Sequence, residues 1–117
     1  MAGERILHVC YDPSLLMDRE RLLLGQGYEV ITVLGTDGVV SLLPMDHYDL
    51  VVVGDGGPIE ERERAISWVK ENLPQTPVIA LCRLHEHLSG ADFQASTADR
   101  KTWVSRVADY IERSSSL

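Results

Sequence analysis

The chain has 117 residues, a length that suits one domain with a single buried core. Apolar residues make up 44% and charged residues 25%, the balance of a soluble globular protein, and the formal net charge is −7. This acidity argues against non-specific binding of DNA or RNA, the apolar runs fall far short of the roughly 18 residues of a membrane helix, and "MAGERILHV" lacks the basic-then-apolar opening of a signal peptide. No nucleic acid and no membrane are therefore expected as partners, and a cytoplasmic location is. There Cys10 and Cys82 would be reduced thiols.

Strand and helix signals alternate along the chain. "RILHVC" (5–10) is a short apolar run. Asp12 then offers an N-cap and Pro13 fits a first helical turn. Leu15, Leu16, Arg19, Leu22 and Leu23 follow at helical spacing, and Gly25 and Gly27 supply the stop. "EVITV" (29–33) is β-branched and reads as strand. "TDGVVSLL" (36–43) is a short helix closed by Pro44. "DLVVV" (49–53) is apolar after its aspartate, as in a strand buried on both faces. A helix is predicted from about Ile59 to Asn72, with Ala65, Ile66, Trp68 and Val69 on its apolar side. "PVIAL" (77–81) is another fully apolar strand and "DFQA" (92–95) a weak fifth. Ser96 or Thr97 is expected to cap a last helix with the stripe Trp103, Val104, Val107, Ala108 and Ile111. The whole chain reads as one domain, with a core from about 4 to 113 and a frayed tail at 114–117.

Five strands separated by helices predict an α/β, flavodoxin-like, doubly wound parallel sheet in the order 2-1-3-4-5. Such sheets bind ligands at the carboxyl ends of their strands, beside the switch point between the first and third. The residues at those ends are Cys10, Tyr11 and Asp12, then Gly54 and Asp55, then Cys82 and Arg83.

"ILHVCYDPSLL", "GYEVITV", "DGVVSLL", "YDLVVVGDGGP", "TPVIALC" and "GAD" follow one another in the order and at the spacing of a receiver domain. Over nearly its whole length the chain resembles the receiver domains of two-component response regulators. The resemblance implies a phosphoryl group taken onto an aspartate, Mg²⁺ held by two acidic residues, and a hydroxyl and a lysine that read the phosphorylated state. Transferred residue by residue, those roles fail. The acidic pair falls on Cys10 and Tyr11, with Asp12 next door better used as a helix cap. The phospho-acceptor falls on Gly54, the switch hydroxyl on Cys82, and the small residue after it on Arg83. The lysine falls on Thr97 or Ser96, and no lysine lies between Lys70 and Lys101. The stretch from Cys82 to Gly90 is short for the family, so the helix between the fourth and fifth strands is expected to be stunted or missing.

The chemistry does not survive these exchanges. Aspartyl phosphorylation needs a carboxylate nucleophile and a divalent cation, and a phenol and a thiol are poor ligands for Mg²⁺. Asp55 is one residue out of register, and in a strand a one-residue shift turns a side chain to the other face. The glycines around it leave open that it reaches the pocket. Cys10 and Cys82 invite a redox reading, but two strand spacings of ~4.8 Å each hold them about 10 Å apart, beyond the roughly 7 Å limit for a disulfide. "HEH" (85–87) reads as a solvated loop, His8 as a hydrogen-bonded core histidine, and "EERER" (60–64) as a solvated helical face. "DGGP" lacks the pattern of a nucleotide-binding P-loop.

The reading is a degenerate, phosphorylation-independent receiver that is not an enzyme, needs no cofactor or metal, and acts through a protein partner or a neighbouring domain. A homodimer through the last helix is one form of this, with Arg100, Trp103, Arg106 and Tyr110 as the contact residues; Trp103 suits the core equally well. The alternative is a phosphoacceptor using Asp55 in shifted register. A small flavodoxin-like ligand-binding domain is a third reading.

Overall fold

The structure is a computed structural model that describes residues 3–42, 47–83, 85–98 and 102–115. Strands β1 (Arg5–Cys10), β2 (Glu29–Leu34), β3 (Leu50–Val53), β4 (Val78–Cys82) and β5 (Phe93–Ser96) form one sheet. Its order is β2-β1-β3-β4-β5, and every pairing is parallel. Helices α1 (Pro13–Leu24), α2 (Gly35–Val40), α3 (Ile59–Asn72) and α4 (Thr102–Ser115) pack against it. This is the predicted doubly wound architecture.

The sheet is two-sided because its strands alternate. Leu7, Val9, Val51, Val53 and Ala80 face a layer made by α2 and α3, where Val39, Ala65, Ile66 and Val69 are buried. Ile6, Leu50, Val52, Leu81 and Ala95 face the opposite layer, where Leu23 of α1 meets Trp103, Val104 and Val107 of α4. The central strands β3 and β4 are buried at every position, as their unbroken apolar runs predict. β2 and β5 are the edges and are only partly covered.

Helix starts follow local chemistry. Asp12 caps α1: its Oδ1 accepts from the Ser14 amide at 3.0 Å and the Ser14 hydroxyl at 2.7 Å, and Pro13 occupies the first turn. α3 spans the predicted range, with Glu60 and Glu61 in its first turn. The expected closure of α2 by Pro44 lies outside the described residues. Among the described residues no helix separates β4 from β5, and Leu88, 1% exposed, plugs the core from that loop instead. The predicted cap of the last helix is corrected. Ser96 ends β5, α4 begins at Thr102, and Thr97 is drawn into the strand-end cluster described next. Among the described residues no helix is long and apolar enough to cross a membrane.

Candidate functional site

The carboxyl ends of β1, β3, β4 and β5 meet around the glycine corner 54–57. Parity alone would turn Asp55 away from this edge. The strand ends at Val53, however, and the freed chain folds the Asp55 carboxylate into the sheet's upper edge, where it is 3% exposed. Its Oδ1 accepts from Arg19 Nη1 of α1. Its Oδ2 accepts from Thr97 Oγ1 at 2.7 Å and from Arg83 Nε at 3.4 Å. Of the two courses the sequence left open, Asp55 takes the one into the pocket, because alternation binds only residues inside the ladder.

Burial by itself would raise the Asp55 carboxyl. The hydrogen bonds from Arg19 and Thr97, with the charges of Arg19 and Arg83, outweigh it and hold the group below the ordinary aspartate range. Asp55 is therefore an ionised carboxylate with both oxygens engaged. Arg19 is itself buried and lies over the Trp103 ring, 5.9 Å from its centroid.

The position of the expected acceptor is closed. Gly54 donates to Val9 O at 2.7 Å, and a Cβ there would sit 3.0 Å from that oxygen and 3.6 Å from Arg19 Nη1. The two acidic-pair positions are turned to other uses. Cys10 Sγ donates to Asp12 O at 3.2 Å, and burial pushes its thiol up. The Tyr11 hydroxyl shares a 2.7 Å hydrogen bond with Thr36 Oγ1 and reaches Glu61 O at 3.3 Å. Its ring lies flush on Gly57, where a Cβ would come within 2.6 Å of Cδ1. Cys82 Sγ donates to Gln94 Oε1 at 3.2 Å, and burial raises this thiol too. With β3 between β1 and β4, the cysteines stand two strands apart, and both are free.

A second cluster locks the same corner from beneath. Arg62 of α3 is 0% exposed, so "EERER" is not simply a solvated face. Its guanidinium donates to Gly54 O at 3.1 Å, Gly57 O at 3.2 Å and Leu81 O at 2.9 Å. It also grips Glu86 with two 3.0 Å bonds. Those bonds hold the Glu86 carboxyl below its usual range. Glu86, the middle of "HEH", is thus an ion-pair partner rather than part of a solvated loop. Arg62 stands three, four and seven residues before Ala65, Ile66 and Val69, on the buried face of α3, and Arg19 stands in the same relation to Leu22 and Leu23. Helical spacing was the signal for both arginines; nothing local marked Glu86.

These residues do not fit a divalent cation. A buried thiol and a hydrogen-bonded phenol occupy the acidic-pair positions, Asp12 Oδ1 is spent on the helix cap, and Asp55 is shared by two guanidiniums that would repel a metal. The last-helix residues divide between core and surface. Trp103 is 1% exposed and belongs to the core. Arg106 is exposed, and Tyr110 is half-buried with its ring 4.2 Å from that of Phe93. Arg100 lies outside the described residues.

Strand order and parallel pairing match a known architecture. The fold is that of a response-regulator receiver domain. A CheY-like receiver domain protein from Methanospirillum hungatei superposes with a TM-score of 0.79 at 16% identity, covering 96% of both chains. The response regulator TrrA of Thermotoga maritima, solved in complex with Mg²⁺ and BeF, gives 0.77 at 18%, covering 92% of this chain and 98% of that one. A structure of the histidine kinase ThkA in complex with TrrA gives 0.74 at 18%, covering 91% and 97%. No family model and no curated protein matches the sequence. At these identities the likeness is one of fold.

Proposed function

We propose that this receiver-fold domain is a pseudo-receiver, a phosphorylation-independent interaction module of a two-component-type pathway, with no catalysis and no cofactor of its own. The observation that carries this reading is the state of Asp55. It is the carboxylate nearest the acceptor position, which itself is Gly54, and Arg19, Arg83 and Thr97 occupy both its oxygens. A nucleophile so engaged is poorly available for attack on phosphorus, and the two guanidiniums paired with it disfavour a divalent cation at the same carboxylate. Incubation with acetyl phosphate and Mg²⁺ should leave the intact mass unchanged. A gain of one phosphate that vanishes in Asp55→Asn would instead establish the shifted-register acceptor.

A protein partner or a neighbouring domain supplies the output in this reading. The kinase–regulator complex among the similar structures is a precedent for a receiver fold engaging another protein. The contact face we favour is the groove of about 380 Å³ between β5 and α4, lined by Phe93, Arg106, Asp109 and Tyr110. Phe93 is 48% exposed there, beside an open strand edge. Arg106→Glu should weaken self-association, or docking of an adjoining domain, in sedimentation velocity. Stability should stay within ~0.5 kcal/mol, because Arg106 is exposed. Association equal to the parent's would move the interface off this helix.

A further inference from the structure

Four chain elements converge on one carboxylate at the upper edge of the sheet. Asp55 follows β3, Arg83 follows β4, Thr97 follows β5, and Arg19 lies in the second turn of α1. The three donors would suit a bound anion: one buried guanidinium, one hydroxyl and one guanidinium that is largely exposed. Two guanidiniums and a hydroxyl converge on one buried carboxylate, with the Asp12 carboxylate at the rim beside both arginines. Thr97 is further fixed by its amide, which donates to Cys82 O at 3.0 Å.

We propose that Arg19, Arg83 and Thr97 form an anion cradle whose permanent occupant is the protein's own Asp55 carboxylate. This rests on the pseudo-receiver reading and deepens it: the site is not empty of an anion but carries one built into the chain. The side chain ties the ends of β3, β4 and β5 to α1, so the corner keeps one arrangement with no ligand. A free phosphate has no differential affinity to offer, because its place is taken in every molecule, and without differential affinity it shifts no population. Arg83, with a side chain 56% exposed, closes the cradle on the solvent side. Asp12 stands beside Arg83 and Arg19 and adds to the field that keeps both in place.

Excising the carboxylate tests the proposal. Asp55→Ala removes a group that formate replaces atom for atom. The variant should melt at least ~10 °C below the parent, since it leaves Arg19 buried and unpaired. Sodium formate, compared with chloride at equal ionic strength, should then restore about 5 °C in a saturable manner. The parent should respond to neither formate nor inorganic phosphate beyond the chloride control, and Arg19→Gln/Asp55→Ala should lose the formate response. An Asp55→Ala protein that formate does not stabilise overturns the cradle, as does a parent that phosphate stabilises saturably. If Asp55→Ala does not fold, the parent still decides. Titration with phosphate should leave the Thr97 amide and the Arg19 and Arg83 Nε–H resonances in place, and a saturable shift refutes the proposal. Labelling by acetyl phosphate would sink the pseudo-receiver reading on its own; a missing formate response would sink only the cradle.

Discussion

Replacing Arg62 by alanine is expected to cost about 3–5 kcal/mol of folding stability, because it strips buried backbone carbonyls of their donor and breaks an ion pair with the partly buried Glu86. Arg62 is 0% exposed and serves three backbone carbonyls and both oxygens of Glu86. Its loss strands Gly54 O and Leu81 O in the interior, and an unsatisfied buried polar group costs ~1–3 kcal/mol. Against a typical total of about 5–15 kcal/mol, this is enough to unfold a large share of the molecules at moderate temperature. Arg62→Lys should fail nearly as badly, because an ammonium is a point charge and cannot reach five acceptors laid out for a planar fork. Urea unfolding measures both. An alanine variant within ~1 kcal/mol of the parent would show that the network is incidental.

The second large effect is acid sensitivity seated in β1. His8 is 0% exposed, its Nδ1 lies 3.3 Å from Thr32 Oγ1, and among the described residues its Nε2 has no hydrogen-bond partner. Burial first, and the charge of Arg19 second, lower its pKa from 6.5 to about 4, against a small opposing pull from Glu20. The unfolded chain therefore takes up a proton near pH 6.5 that the folded protein refuses until about pH 4. Stability should fall as pH falls through that window, by up to about 1.4 kcal/mol per unit and roughly 3 kcal/mol in all. Asp55 and Glu86 act lower down. Both are depressed from ordinary values of 3.8 and 4.5, so their contributions persist until the pH drops below those values. Chemical denaturation between neutrality and the onset of carboxylate titration should thus show a slope that His8→Gln flattens. A parent with no slope there would mean that the imidazole is reached by water.

The corner at 54–57 shows where reading the chain stopped short. The apolar runs located the strand ends to within a residue, and the resemblance put Gly54 in the expected acceptor position. It did not locate the charges. Arg19 and Arg62 sit on apolar stripes at helical spacing, but a charge on such a stripe reads as a side chain whose stem packs and whose head escapes to water. Here both heads point inward, because carboxylates and carbonyls from distant segments wait there. Asp55 reaches Thr97 across 42 positions and Arg19 across 36, separations at which no local pattern carries information.

What the sequence determined by itself was the succession of elements and the sheet they must build. Alternating apolar runs and helical stripes with Asp12, Pro13 and the glycines as punctuation specify βα units, and right-handed crossovers leave one common way to assemble them. The same residues led to the expectation that Gly54, Cys10 and Tyr11 are poorly suited to a phosphoryl group and Mg²⁺. Only the tertiary structure decided what fills the strand ends instead. Trp103 could serve core or surface until α4 was packed on β5, and Thr97 could cap a helix until its hydroxyl met Asp55. For Asp55 the parity rule and the flexible glycine corner pointed opposite ways, and the packed fold decided between them because the rule lapses where the ladder ends. The reason is general: periodic burial is written into neighbouring residues, whereas the pairing of buried charges is settled by which distant segments the finished fold brings within hydrogen-bond reach.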